Sequence, residues 1–365
     1  MSMIPYGRHS VDESDVEAVL NVLRSDWLTN GPQVEAFERS VADYTGAAHA
    51  VAFNSGTSAL HGACHAAELG PGDTVHTSPL TFVASANCAR YVGAHPALLD
   101  IDAETWNIDL DRVGKHVAAL IAVDYAGLPV DLAGLRCRPR VVIEDAAHAL
   151  GARTPDGPVG SCTHSDMTVF SFHPVKPITS GEGGMVTTND AGLAASLRRF
   201  RSHGVDRGPF ADPWVYDVVE LGYNLRMTEI SAALGLSQMR RLDEFIARRN
   251  QLADRYRIML ADLPIRLPPA APPGFRHGYH LFPVLVPDRS RVYAYMRRSG
   301  IGVQVHYVPI HHHTNATDVI LPRGGLPVCE EAYAGLLSLP IYPGLTDAVQ
   351  DGIVASLGRA LEMGT

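Results

Sequence analysis

Of the 30 basic residues in this 365-residue chain, 28 are arginines and two are lysines, Lys115 and Lys176. A guanidinium stays protonated and cannot serve as an amine nucleophile. A desolvated ammonium can lose its proton and attack a carbonyl. Lys176 sits between Pro174 and Pro177 in FSFHPVKPITSGEGG, directly after an apolar run and close to Ser171 and His173. The SGEGG segment lets backbone approach a ligand closely, and a lysine in such a loop suits Schiff-base chemistry with an aldehyde. Lys115, in DRVGKHVAAL, reads as a surface residue.

Two other run ends carry unusual residues. In RVVIEDAAHALGA, Asp145 closes an apolar run, where a buried carboxylate must find a cation or hydrogen-bond donors, and His148 follows. Asp145 can face a protonated pyridine nitrogen or cap the next helix. In AVAFNSGTSALHGA a small-residue turn leads into a helix near Ser58. The helix start and the hydroxyls of Thr57 and Ser58 can hold a phosphate, or simply cap the helix. A phosphate cradle, a carboxylate for a pyridinium and an amine for an aldehyde are the three needs of pyridoxal phosphate. No G-x-x-x-x-G-K-[ST] loop accompanies them, which argues against a nucleotide triphosphatase.

The elements that must position these groups follow from patterning. HAVAF (49–53), DTVHTS (73–78), PALLDI (96–101), ALIAVDY (119–125), RVVIED (140–145) and MTVFSF (167–172) have the length of buried strands. Helix-like segments such as SALHGACHAAEL and VDLAGL alternate with them, which predicts an α/β fold with a largely parallel sheet. Such sheets bind ligands at the carboxyl ends of their strands. VDESDVEAVLNVLRSD predicts an amphipathic helix with Val16, Val19, Leu20 and Leu23 on one face. MTEISAALGLSQMRRLDEFIARRNQLADRYRIMLADL reads as one long helix or two joined ones, and the proline-rich 263–275 as a connector. YHLFPVLVP and IGVQVHYVP read as strands flanking a helix near SRVYAYMRRSG. The expected division is a large domain over 1–245 and a smaller C-terminal α+β domain over 246–365.

A net charge of −9 argues against nucleic acid as the main partner. No apolar run reaches the roughly 18 residues a membrane helix needs, and MSMIPYGRHS does not read as a signal peptide. The five scattered cysteines have no C-x-x-C spacing, which suits a reduced cytoplasmic protein with neither disulfide framework nor zinc site. His311, His312 and His313 are consecutive; on an extended backbone their side chains alternate in direction, so no metal site is expected there.

The motifs SDWLTNGPQVEAFE, NSGTSAL, TSPLTFVASAN, IEDAAHALGA, SFHPVKPITSGEGGMV, LGYNLRMTEISAALG and GVQVHYVPIH together resemble the DegT/DnrJ/EryC1/StrS family of sugar aminotransferases, nearly end to end. The resemblance implies the fold type I architecture of pyridoxal-phosphate transferases, which is aspartate aminotransferase-like, and a homodimer with shared active sites. It implies that Lys176 bonds the cofactor and shuttles a proton, and that Asp145 holds the pyridine nitrogen protonated. His148 would lie near the ring hydroxyl and Phe82 on the ring face. Gly56, Thr57, Ser58 and Ser171 would surround the phosphate, with Asn224 of the partner subunit reaching in. Family members that replace the lysine with histidine are dehydratases, so Lys176 favours transamination.

Pro177 replaces the asparagine common after the lysine. With SDWLTNGP, YAGLPVD and VHYVPIH, it makes the chain most similar to enzymes acting on UDP-4-keto-6-deoxy-N-acetyl-altrosamine on the route to pseudaminic acid. The implied reaction takes the amine from L-glutamate, releasing 2-oxoglutarate and leaving pyridoxamine phosphate, and delivers it to the sugar C4 ketone. Tyr6, Asp26, Trp27, Leu28, Thr29, Gly56, Ser171, Asn224, His306, Tyr307, Val308 and Pro309 would line the nucleotide-sugar site. Segment 203–224 would close over the sugar, with Trp214 and Tyr216 either stacking on it or packing against the dimer partner. HHHTNATDVILPRGG (311–325) departs from the expected pattern, which leaves a dTDP-4-keto-6-deoxyhexose as the alternative substrate. A non-catalytic sensor on the same fold is disfavoured because Lys176 and Asp145 are retained. An enzyme of amino-acid metabolism is disfavoured by the sugar-family motifs.

Overall fold

The computed structural model describes residues 3–210, 212 and 214–363. The six apolar runs become strands β1 (His49–Phe53), β2 (Thr74–Thr77), β3 (His95–Leu98), β4 (Ala119–Val123), β5 (Val141–Asp145) and β6 (Met167–Ser171). A seventh, β7 (Gly184–Thr188), follows the glycine-rich loop and is buried along its whole length. They form one sheet in the order β1-β7-β6-β5-β4-β2-β3. β7 pairs antiparallel with both β1 and β6, while every other pairing is parallel. Strands β1 to β6 therefore point their carboxyl ends the same way, and that edge is where the site forms.

Helices cover both faces. One face carries α3 (Gly56–Ala66), α4 (Ala84–Tyr91) and α5 (Ala191–Phe200), whose small residues and Leu197 and Phe200 pack on Phe53, Ile121 and Val169. On the other, α2 (Pro32–Thr45) and α6 (Glu229–Met239) pack on Phe170 and Phe172. Gly235 permits this approach, since a Cβ there would come within 2.6 Å of the Phe37 ring. Burial of aromatic side chains of this size contributes about 2–3 kcal/mol each.

The expected long helical segment is two helices, α6 and α7 (Leu242–Met259). Position 245 lies inside α7. Leu242, Phe245 and Ile246 serve the core beside the sheet, whereas Leu252, Ala253 and Tyr256 serve a second core. Between them, buried Arg249 donates to the carbonyls of Tyr279 and Ile341, each at 3.0 Å. The second core also takes α8 (Arg289–Arg298), α10 (Asp347–Glu362) and the antiparallel pair β8 (Phe282–Leu285) and β9 (Leu336–Leu339).

Two expectations are corrected. VDLAGL is only a single 3-10 turn at Leu132–Gly134, too short a segment to nucleate an α-helix. IGVQVHYVP forms no regular strand; Ile301 pairs singly with Ile4 and Gln304 with Ser338. Gly302 lies so close to the N-terminal arm that a Cβ would sit 2.7 Å from the Ile4 carbonyl oxygen. In α1 (Glu13–Leu23), the apolar stripe does not face the core. Val16, Leu20 and Leu23 are exposed, while Asp15 is fully buried and accepts hydrogen bonds from Arg241 and Gln238. Among the described residues, no helix is long and apolar enough to cross a membrane.

Candidate active site

The carboxyl ends of β1, β2, β5 and β6 converge on a cavity of about 380 Å³. After β1, Gly56 and Thr57 open α3 into it; after β2, Thr81, Phe82 and Ser85 line it; after β5, Asp145 and His148; after β6, Ser171, His173 and Lys176. The far wall comes from the C-terminal part of the chain and the N-terminal arm: Tyr6, His280, His306 and Tyr307. Residues separated by more than 200 positions thus share one chamber.

Asp145 is the last residue of β5 and is buried. Ser85 Oγ donates to one carboxylate oxygen at 2.7 Å, and the Ala147 N–H donates to the other at 3.2 Å. Burial raises its pKa, while those two bonds and the Lys176 ammonium pull it down. An opposing cation is the missing partner of such a carboxylate. The preceding Glu144 alternates to the other face of the sheet, where Thr168 Oγ1 donates to it at 2.8 Å.

Lys176 keeps some exposure to the cavity, yet burial lowers its ammonium pKa to about 8, against the opposing attraction of Asp145. A substantial fraction of neutral amine at mildly alkaline pH follows. His148 is buried, with Nε2 3.1 Å from the Tyr307 hydroxyl and its ring 4.4 Å from that of His280. Burial and the nearby Lys176 keep both imidazoles neutral, well below their ordinary pKa. The Nδ1 atoms of both rings are buried and lack protein partners. His306 is anchored by Ser338 Oγ at 2.9 Å and by contact with the Tyr6 ring at 4.8 Å.

The phosphate end is built by close backbone approach. Ser55 caps α3 by accepting the Ser58 N–H at 3.1 Å. A Cβ on Gly56 would come within 2.9 Å of Ser171 Cβ, and one on Gly184 within 2.3 Å of the Ser55 carbonyl oxygen. The helix start therefore presents free N–H groups beside two hydroxyls, those of Thr57 and Ser171, as an anion requires.

Gly56, Thr57, Phe82, Asp145, His148, Ser171, Lys176, Tyr6, His306 and Tyr307 are brought together as the sequence suggests. Ser58 is turned away, its hydroxyl 2.9 Å from Ser55 Oγ. Asn224 is exposed and pairs with Ser202. Asp26, Trp27, Leu28 and Thr29 lie on an outer turn held by Glu229, whose carboxylate accepts the Gly31 and Gln33 N–H groups at 3.0 and 2.7 Å. Val308 and Pro309 also fall outside the cavity lining. Trp214 and Tyr216, 72% and 55% exposed, do not reach it within this chain. Sequence reasoning missed Thr81, Ser85, His173 as a wall residue, Glu182 and His280. Ser85 had a usable signal, lying one helical turn after Thr81 in LTFVAS. His280 had none, because only folding brings it to His148.

The donor set fits pyridoxal phosphate: a buried carboxylate short of a cation, a depressed-pKa lysine beside it, and a helix start lined with hydroxyls. A model of the DegT/DnrJ/EryC1/StrS aminotransferase family matches residues 9–358. The chain is 34% identical to the spore coat polysaccharide biosynthesis protein SpsC of Bacillus subtilis, covering 97% of this chain and 96% of that protein. Spr1654 of Streptococcus pneumoniae in its PMP form superposes with a TM-score of 0.92 at 28% identity, over 99% of this chain and all of that one. The PLP form of the same protein gives 0.90 at 28% identity, over 100% of both chains. Helicobacter pylori PseC, an aminotransferase involved in the biosynthesis of pseudoaminic acid, gives 0.89 at 30% identity, over 99% of this chain and 100% of that one. The fold is that of the type I pyridoxal-phosphate transferases, and the chain belongs to the DegT/DnrJ/EryC1/StrS aminotransferase family, as a sugar aminotransferase whose cofactor is pyridoxal phosphate.

Proposed function

We propose that this enzyme moves the amino group of L-glutamate to the C4 ketone of a nucleotide-linked 4-keto-6-deoxy sugar. The sugar nucleotide is UDP-4-keto-6-deoxy-N-acetyl-altrosamine, and the product is UDP-4-amino-4,6-dideoxy-N-acetyl-altrosamine. The observation that carries the reading is Lys176 and Asp145 facing one cavity beside the α3 start. The likeness to PseC supports the choice of sugar.

When bound, pyridoxal phosphate supplies an aldehyde to receive amines and a ring to accept the electron pair left when Cα loses its proton. Lys176 Nζ, with its pKa lowered to about 8, takes that proton and returns it on the other side of the exchange. Asp145, fixed by Ser85 and the Ala147 amide, keeps the ring nitrogen protonated. Thr57, Ser171 and the α3 amides hold the phosphate, with Ser58 supporting the turn through Ser55. Phe82 and His148, the latter bonded to the Tyr307 hydroxyl, would hold the ring from the cavity wall. Tyr6, His306 and Tyr307 form the sugar side.

A homodimer is part of the proposal. Each substrate carries two negatively charged groups, yet Lys176 is the only lysine or arginine among the described residues lining the cavity. Val16, Leu20, Leu23, Trp27 and Leu28 leave an apolar surface exposed on one chain. A second copy covering it would bring Asn224 and the 26–29 turn of the partner to the substrate side. The division into 1–245 and 246–365 belongs to the same reading, with α7 common to both parts. Unpaired cysteines at Cys64, Cys88, Cys162 and Cys329 support a reducing, cytoplasmic setting.

The test is a visible absorbance spectrum of wild type and Lys176→Ala with pyridoxal phosphate, before and after L-glutamate. Wild type alone is expected to show the lysine-bound absorbance and to lose it with glutamate. UDP-linked ketosugar should then restore it. Restoration by a dTDP-linked 4-keto-6-deoxyhexose instead would move the reading to that substrate. Identical spectra for both proteins would remove Lys176 from its role.

A further inference from the structure

His311 and His312 do not lie on an extended backbone. Ile310–His312 forms a 3-10 turn, in which successive side chains diverge by about 120° instead of 180°. His311 and His312 therefore reach the same partner. Their Nε2 atoms lie 2.6 and 2.8 Å from one oxygen of Glu330, Oε1. Glu330 stands in the first turn of α9 (Pro327–Gly335). The three potential ligand atoms lie within 4.8 Å of one another.

We propose that His311, His312 and Glu330 bind one divalent cation of the zinc class, outside the catalytic cavity. Two imidazole nitrogens and one carboxylate oxygen form a donor set suited to such borderline ions. Tetrahedral bonds of about 2.0–2.1 Å place ligand atoms about 3.3 Å apart. The two nitrogen–oxygen gaps, 2.6 and 2.8 Å, must widen by about 0.5–0.7 Å to meet that geometry. The Glu330 and His312 side chains, 44% and 34% exposed, have room to make that shift and leave outer positions to water.

The frame around the cluster is already fixed. Asp100 accepts the Val328 and Cys329 N–H groups at 3.0 and 2.9 Å and so anchors the start of α9. The N–H of buried Ile310 donates to the Pro79 carbonyl at 3.0 Å. The Tyr333 ring packs edge-on against His312 at 5.3 Å. A cation here joins α9 to the segment that, a few residues earlier, carries His306 and Tyr307 into the cavity. Its effect is to stiffen the sugar-side wall.

The experiment uses tag-free holoenzyme, stripped with a chelator and titrated with zinc chloride against a chromophoric indicator. Wild type should bind one zinc per chain at this cluster and gain thermal stability from it. His312→Asn and Glu330→Gln should each weaken that binding at least about tenfold, and His313→Asn should leave it unchanged. His312 is partly exposed, so its variant serves if Glu330→Gln fails to fold. Absence of saturable binding would overturn the proposal. So would unchanged affinity in the ligand variants, or equal loss in His313→Asn, which would place the ion on the histidine run at large.

Discussion

The two walls of the cavity differ in how complete they are. On the strand-end wall Asp145 is braced within its own chain by Ser85 and the Ala147 amide, and the α3 start by Ser55. The substrate side is braced only in part. His306 and Tyr307 are held, but the 26–29 turn and the 203–224 segment present Trp27, Leu28, Trp214 and Leu221 to solvent. The first wall is built from the segments that follow four strands of a single sheet, so the sheet itself completes it. The second depends on surfaces that a single chain leaves uncovered, and burying such large apolar groups contributes about 25 cal/mol per Å² when a partner arrives. In the proposed reading, cofactor chemistry and substrate choice reside in differently built halves of one chamber.

The largest effect that would sharpen this contrast is at Lys176. Lys176→Arg keeps the charge but should lower activity by about a thousandfold or more. In cofactor-free wild type, burial lowers the lysine to about 8. The neutral amine therefore increases with pH through that value, and cofactor loading should accelerate from about pH 7 to about pH 9 and then level off. A loading rate flat across that range would contradict a buried, pKa-depressed amine.

A mixing experiment addresses the other wall. Inactive Lys176→Ala chains and Asn224→Ala chains, dissociated and reassembled together, should regain up to about a quarter of wild-type activity, because half the dimers then hold one intact site. No recovery would mean that Asn224 acts in its own chain and that the halves are not shared between copies. The smallest expected change is at Ser85. Ser85→Ala removes one charge-assisted bond to Asp145 and should weaken cofactor binding about tenfold, with the fold intact. Unchanged affinity would show that the Ala147 amide alone positions the carboxylate.

Much of the catalytic wall was legible in the sequence. Six strands could be read because each is a short apolar run, and residues at or after the ends of four of them, Thr57, Phe82, Asp145 and Lys176, do line the cavity. Strand β7 escaped notice because a strand that reverses direction after a glycine loop carries no signal of its pairing. Ser58 lies outside the cavity lining and pairs with Ser55; a hydroxyl at a helix start can serve the cap or the ligand, and sequence does not choose between them. The outward stripe of α1 shows the limit of periodicity: it identifies an apolar face without saying what covers it.

The sequence by itself determined the chemistry available: one lysine kept among arginines, a carboxylate closing a buried strand, and a small-residue turn into a helix. These are local properties of residue type and spacing. Tertiary structure decided which groups meet. His280 reached His148, Tyr6 reached His306, and His311 and His312 converged on Glu330 only when distant segments packed. The physical reason is that burial, pKa and hydrogen-bond partnership depend on what lies within a few ångströms, and the order of residues along the chain does not specify it.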